Sequence, residues 1–372
     1  PTPHVAVLLP LSGRSAALGA QLREGILSAQ LAEPRTSRRS VRFYDTARQP
    51  ATEALRAAAA AGADFIIGPL AREDVLAVAA EPRPAGAPAL LALNFLPPDF
   101  VPPAAGVLAG AAGSAAAGSS ASGFWQFALS PEDEARAVAR RALGEGKRRA
   151  VALVPAGEWG TRVLAAFRDE LQAGGGVVLA SATLGPGDTA ATLREALRID
   201  DSIARHRRIQ AVTDTPLAFT PRRRGDLDFL FTPAPSAALR DWRAQLRFQG
   251  AGDLPAFATS DAYDGRAGAE LAGLVFPDMD WMIAPQAPVA AALRASVQAA
   301  FGEVRGRGRL FAFGHDAWLL QRALRAGVVP SVAAPLNGAT GGLWVAGNGQ
   351  VQRSLRWALI DRDTLELLAD GR

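Results

Sequence analysis

The chain reads as an α/β protein of two lobes, each a mostly parallel sheet flanked by helices. Three observations carry that reading. The run His4-Val-Ala-Val-Leu-Leu-Pro-Leu-Ser-Gly-Arg14 is an apolar strand that breaks at Pro10 into a Ser-Gly turn. A strand of unbroken apolar residues belongs in a sheet covered on both faces. An amphipathic helix follows, with Leu18, Leu22, Ile26 and Ala29 on one stripe, and the strand–helix alternation then recurs as βαβ units do. Lastly, 372 residues exceed what one hydrophobic core holds.

The first block predicts strands over 5–9, 41–44, 65–67 and 89–93, and helices over 17–31, 51–61 and 72–80. Residues 102–123 are almost entirely Ala, Gly, Ser and Pro, with too few bulky apolar groups to offset the entropy of ordering them. They predict a flexible loop at a lobe junction, 104–123. The second block opens with a strand over 124–129. A helix follows, with Ser130 as N-cap, Pro131 as first residue, and Glu132, Asp133 and Glu134 complementing the positive dipole end. Strands over 150–154, 177–182 and 228–231 alternate with helices over 161–173, 189–197 and 236–246. A third block has a strand over 256–259 and helices over 289–301 and 316–326, the last opened by a His315-Asp316 cap. The tail predicts a hairpin of 341–346 with 351–360 about Gly347-Asn-Gly349. Because the third block returns to the first pattern, the expected lobes are 1–103 plus 255–330, and 124–254 plus 331–372.

Composition narrows the function. Forty basic and 36 acidic residues give a net charge of +4, too balanced to imply nucleic acid. Lys147 is the single lysine, so the cations are arginines. With 49% hydrophobic and 20% charged residues the chain is globular rather than disordered. The absence of cysteine excludes disulfides, thiolate metal sites and cysteine nucleophiles. No apolar run would span a bilayer. The chain starts almost directly in a strand without an initiator methionine or signal peptide, as a mature or trimmed form would.

The segments Leu9-Pro-Leu-Ser-Gly13, Ile67-Gly-Pro69, Phe127-Ala-Leu-Ser-Pro-Glu-Asp-Glu-Ala135 and Ala339-Thr-Gly-Gly-Leu343 run in the order of the type I periplasmic-binding-protein fold. The chain resembles that fold over nearly its whole length. A narrower set is more specific: Pro221-Arg-Arg-Arg-Gly-Asp-Leu-Asp-Phe229, Gln245-Leu-Arg-Phe248, Ala251-Gly-Asp-Leu-Pro255, Ala258-Thr-Ser260, Tyr263-Asp-Gly265, Leu336-Asn-Gly-Ala-Thr-Gly341 and Leu355-Arg-Trp-Ala358. These resemble the penicillin-binding-protein activator family, the LppC/LpoA-type outer-membrane lipoproteins. Full members of that family carry a lipobox cysteine and a helical-repeat domain, so the chain looks like the C-terminal domain alone. The Ala/Gly/Ser loop is longer than the family needs. The resemblance implies a non-enzymatic periplasmic protein that stimulates a class A bifunctional peptidoglycan synthase by contact. It would have no cofactor and would reach the outer membrane only through a lipid anchor. Fold alone would equally allow a solute-binding protein of an amino-acid ABC transporter.

Ser12, Gly13, Gly68, Pro69, Asn94, Trp159, Thr232, Ser260 and Tyr263 fall at or just after carboxyl ends of predicted strands, where α/β proteins place ligands. They are the expected lining of an inter-lobe cleft. An amino-acid binder would hold the carboxylate with Ser hydroxyls and helix N-termini, and the ammonium with an acid, for which Asp261 is the candidate. The competing reading is a set of turn residues around a vestigial cleft. Arg222, Arg223 and Arg224 fit an acidic partner surface or the anionic cell-wall polymer, or else a solvated loop. Trp281, in Pro277-Asp-Met-Asp-Trp-Met282, fits a partner contact if exposed and a loop packed on its own lobe if not. His4, His206 and His315 lack metal-ligand spacing to one another. No nucleophile elbow, Walker loop or dinucleotide fingerprint is present. Asp278 and Asp280 pair two carboxylates without a supporting pattern, so neither a catalytic nor a metal site is expected.

Overall fold

The computed structural model describes residues 2–84, 86–101, 123–185, 189–213 and 218–369. The expected flexible loop therefore lies outside the described residues, apart from its last position. In chain order the elements begin β1 (His4–Leu9), α1 (Ala16–Leu31), β2 (Val41–Asp45), α2 (Ala51–Ala60), β3 (Ala63–Ile67), α3 (Arg72–Ala80), β4 (Ala89–Ala92) and β5 (Phe124–Phe127). Next come α4 (Pro131–Gly144), β6 (Arg149–Pro155), α5 (Glu158–Ala173), β7 (Val177–Leu184), α6 (Thr189–Ala196), α7 (Ile199–Thr213), β8 (Phe229–Phe231), α8 (Ser236–Phe248), β9 (Ala256–Phe257) and β10 (Leu274–Asp278). The rest are α9 (Asp280–Ile283), α10 (Pro288–Phe301), α11 (Arg309–Arg325), β11 (Leu336–Gly338), β12 (Gly341–Val345), β13 (Gln350–Arg353), β14 (Arg356–Asp361) and β15 (Thr364–Leu368).

The chain divides into two compact units, Pro1–Leu129 with Met279–Leu355, and Ser130–Asp278 with Arg356–Arg372. The first holds a sheet in the order β11-β12-β13-β5-β4-β3-β1-β2, parallel from β2 through β13. All six residues of β1 are buried. Side chains alternate across the strand. Val5, Val7 and Leu9 enter one core with Leu22 and Ile26 of α1 and Leu320 of α11, while Ala6 and Leu8 enter another with Ala54, Val75 and Val78. Helices α1 and α11 approach backbone to backbone. A Cβ at Gly25 would lie 2.0 Å from the Phe311 carbonyl oxygen, and one at Gly314 would lie 2.3 Å from that of Leu22. The second unit holds a sheet in the order β15-β14-β10-β9-β8-β6-β7, with β7 through β10 parallel and β14 and β15 antiparallel. Its core centres on Phe167 and Phe231, whose rings stack at 4.0 Å.

Two sheets with helices on them match the expected fold class, but the boundaries move. Residues 255–278 belong to the second unit. There β9 pairs with β8 through Leu230–Ala256 and Phe231–Phe257, and β10 lies between β9 and β14. Residues 124–129 and 331–355 belong to the first unit, because β5 pairs with β4 and β13 pairs with β5. The expected tail hairpin is real only as β12 and β13, closed by Gly349 at φ +79°. Its second arm breaks at Ser354 and Leu355, and β14 then pairs with β10 in the other unit. Helix α11 starts at Arg309, so His315 and Asp316 are mid-helix and buried rather than a cap. The Ser130 cap forms as expected, accepting the Asp133 N–H at 3.1 Å with Pro131 at the first position. Helix α7 and strand β10 had no counterpart in the predicted elements. Pro277 disguises β10, yet it costs no ladder bond with β9, which pairs only at 274 and 275.

Candidate functional site

The ten cleft candidates fall five in each unit, each set at the carboxyl edge of its parallel strands. In the first unit Ser12 and Gly13 follow β1, Gly68 and Pro69 follow β3, and Asn94 closely follows β4, three adjacent strands. Their polar groups are committed inward. Asp45, at the end of β2, accepts the Leu11 and Ala47 N–H groups at 2.8 and 3.0 Å. Burial works to raise the Asp45 pKa, but bonds from the Ser12 hydroxyl, the Leu11 and Ala47 N–H groups and the Ser12 N–H hold it below the usual carboxylate value. The Ser12 hydroxyl thus serves an internal carboxylate. Gly68 sits at φ +101°, where a Cβ would meet the Leu8 carbonyl oxygen at 2.2 Å; its N–H donates to Leu91 O. Asn94 donates to Leu70 O at 3.1 Å and accepts the Phe95 N–H at 2.9 Å, so its amide closes the turn after β4. Gly13 is exposed, with open space around it.

In the second unit Thr232 follows β8, Ser260, Asp261 and Tyr263 follow β9, and Trp159 opens α5 after β6. Thr232 is fully buried and bonds Phe257 O through its N–H at 2.8 Å and its hydroxyl at 3.3 Å. Tyr263 stacks on Phe276 at 5.6 Å, and Trp159 packs on the core. Asp261 is exposed, which removes the buried acid that an ammonium site requires. A buried acid of this unit, Glu134 of α4, sits beside Ser260 instead. It accepts the Ser260 N–H at 2.9 Å and its hydroxyl at 3.1 Å. From sequence Glu134 was one of three acids complementing a helix dipole. Its position in the first turn of an amphipathic helix, four residues before the apolar Val138 on the same face, was the available signal.

The partner-contact candidates are largely spent on the fold. Trp281 is 1% exposed, which overturns an exposed contact. Its indole N–H donates to Arg307 O at 2.7 Å, the Arg294 guanidinium lies 4.5 Å above its ring, and Phe311 packs beside it. Of the two readings the packed one holds, because the short helix α9 turns the ring inward. Arg223 bonds Gly250 O and Asp253, and Arg224 grips Asp226 with two bonds of 2.6 and 2.8 Å, so both serve the fold. Arg222 alone of the three is exposed. The Arg224 guanidinium holds Asp226 down at about 2, and that of Arg149 does the same for Asp228. Asp278 is buried within β10, while Asp280 opens α9.

The segments singled out in the sequence meet in pairs. Arg223 and Asp253 join the 221–229 and 251–255 segments at 2.9 Å. Glu134 and Ser260 join the 127–135 and 258–260 segments. The turn at 336–341 wraps Asp316, which is fully buried and accepts the Ala339 N–H at 2.9 Å, the Thr340 N–H at 2.7 Å and the Thr340 hydroxyl at 2.6 Å. A Cβ at Gly338 would lie 2.3 Å from Asp316 Oδ2, so glycine is required there by space. His315 Nδ1 lies 2.9 Å from Asp316 Oδ1. These are internal braces, and among the described residues no group of three or more His, Cys, Asp or Glu could hold a metal ion. No helix of the described residues is long and apolar enough to cross a membrane.

The family described as LppC putative lipoprotein matches residues 1–361. Penicillin-binding protein activator LpoA of Klebsiella pneumoniae is 30% identical over 343 residues, covering 85% of this chain and 43% of that protein. The protein of the same name from Vibrio antiquarius is 27% identical over 363 residues, covering 95% of this chain and 57% of that protein. The chain thus spans about half the length of the curated relatives it matches. Among solved structures, the C-domain of Haemophilus influenzae LpoA, described as a regulator of PBP1A, superposes with a TM-score of 0.67 at 22% identity, covering 99% of this chain and 100% of that one. An ABC transporter substrate-binding protein from Desulfitobacterium hafniense superposes at 0.62 with 15% identity, covering 99% and 100%. At these identities the structural likeness is one of fold.

Proposed function

We propose that this chain, which belongs to the LppC family, is a regulatory domain that stimulates a class A bifunctional penicillin-binding protein by direct contact and carries out no chemistry itself. The observation that carries this is the match of the family over residues 1–361, with relatives named as penicillin-binding protein activators aligned over most of the chain. The committed polar groups support it. A receptor for a free amino acid needs a buried acid for the ammonium and unspent donors for the carboxylate. Here Asp261 is exposed, Ser12 serves Asp45, and Ser260 serves Glu134. The domain would work in the periplasm, tethered by a lipid anchor of the full-length protein to the outer membrane, with the synthase as partner.

The test is a reconstituted assay of glycan polymerisation and cross-linking with the class A synthase of the same genome. Adding the full-length protein raises the rate, and the two co-purify. An unchanged rate together with no co-purification would overturn the proposal. Calorimetry with leucine, isoleucine and valine gives no micromolar isotherm; a saturable one would favour the solute receptor.

A further inference from the structure

Helix α7 is the element whose exposure the fold does not explain. Of its residues only Ile199 and Ser202 are buried, and from Ala204 to Thr213 every residue is exposed except half-buried His206. It is held at one end. Arg222 N donates to Ser202 Oγ, Arg224 N donates to Leu197 O, and the His206 ring stacks on Phe219 at 4.1 Å. Beyond that ring no buried residue of the helix remains among the described residues, and helices this short have marginal stability in water by themselves.

The exposed surface has a pattern. Arg205, Arg208, Ile209 and Val212 follow the i, i+3, i+4, i+7 spacing and share one face. Ile209 is 52% and Val212 86% exposed. The acids of α7, Asp200 and Asp201, pair with Arg194 and Arg198 at its other end. Arg205, Arg207 and Arg208 have no ion pair among the described residues. The stripe therefore offers two branched apolar side chains beside two unneutralised guanidinium groups.

We infer that this stripe is the surface by which the chain docks on its synthase, entering a groove with an apolar floor and an acidic rim. The inference rests on the function proposed above. Charge complementarity and the apolar pair select this occupant. A symmetric second copy would set like charges against each other. An anionic glycan would engage the arginines and gain nothing from Ile209 and Val212. An interfacial membrane helix keeps its cations on the face opposite its apolar one, whereas here they share a stripe.

The experiment measures binding of the full-length protein to the periplasmic part of that synthase at two salt concentrations. The variants are Arg205→Glu with Arg208→Glu, Ile209→Gln with Val212→Gln, and Arg207→Glu, which lies on another side of the helix. Glu and Gln are good helix formers, so far-UV circular dichroism and melting temperature should stay at the native values. Each double variant is expected to weaken binding by about tenfold or more, as central interface residues do. The charge reversal should also flatten the salt dependence, and Arg207→Glu should change little. Native binding with both double variants unchanged overturns the inference and leaves the function standing. No native binding overturns both. Loss of binding only to phosphatidylglycerol vesicles, or only of self-association in sedimentation, overturns it in favour of a lipid or second-copy surface.

Discussion

Helices α11 and α7 have 17 and 15 residues, and the fold treats them in opposite ways. Helix α11 buries eleven residues, touches the α1 backbone through Gly25 and Gly314, and carries Asp316 into the turn at 336–341. Helix α7 buries two and ends in an exposed basic and apolar stripe. One is fixed by its own chain, and the other has surface to spare. In a protein whose polar candidates are absorbed into internal braces, spare surface is where a contact function can reside.

The contrast can be broken most violently at α11. Gly25→Ala drives a methyl into a backbone oxygen that cannot step aside, so a loss of about 3 kcal/mol or more is expected, read from the denaturant midpoint. A loss below about 1 kcal/mol would mean the two helices slide easily. Asp316→Ala strands the Ala339 and Thr340 donors in a dry site and should cost about 3 kcal/mol, since each unmet buried donor costs about 1–3 kcal/mol. A native melting temperature for that variant would show the turn to be held otherwise.

Acid sharpens the comparison more gently. Asp226 and Asp228 titrate at about 2 in the fold against 3.8 unperturbed, so the unfolded chain binds more protons below pH 4. Their stabilisation is complete above about pH 4 and drains away as the pH falls through 2. Asp228→Asn should flatten that slope and cost about 1–2 kcal/mol at neutral pH, because the Arg148 and Arg149 N–H groups lose a charged acceptor. An unchanged acid profile would place the sensitivity elsewhere. Smallest of all, Ile209→Gln with Val212→Gln should move stability by no more than about 0.5 kcal/mol, the range of surface changes. A larger drop would mean that α7 is packed after all.

The sequence made the βαβ rhythm legible because buried strands such as 5–9 are apolar throughout and Ser130-Pro131 marks a helix start. It misassigned 255–278 because a two-residue strand such as β9 carries no mark of the sheet it joins; only pairing with β8 decides that. It missed α7 because an exposed helix has no apolar stripe facing a core. Trp281 and Asp261 were left with two readings each, a contact or a packed loop for the first and an ammonium ligand or a turn residue for the second; the ring proves buried and the carboxylate exposed. Burial of Trp281 is set by Arg294, Arg307 and Phe311, residues distant from it in sequence, which is why the segment alone left both readings open. The segments that resemble the activator family were readable as patterns, whereas their pairing through Arg223 with Asp253 and Glu134 with Ser260 was visible only in three dimensions.

Hydrogen exchange of the full-length protein, alone and with the periplasmic part of its synthase, tests the central claim most directly. Amides of α11 should be protected in both states. Those from 206 to 213 should exchange rapidly in the free protein and slow by at least about tenfold in the complex, as a local opening suppressed by binding would require. Rapid exchange of 206–213 in a demonstrably formed complex, with protection arising elsewhere, would contradict the account.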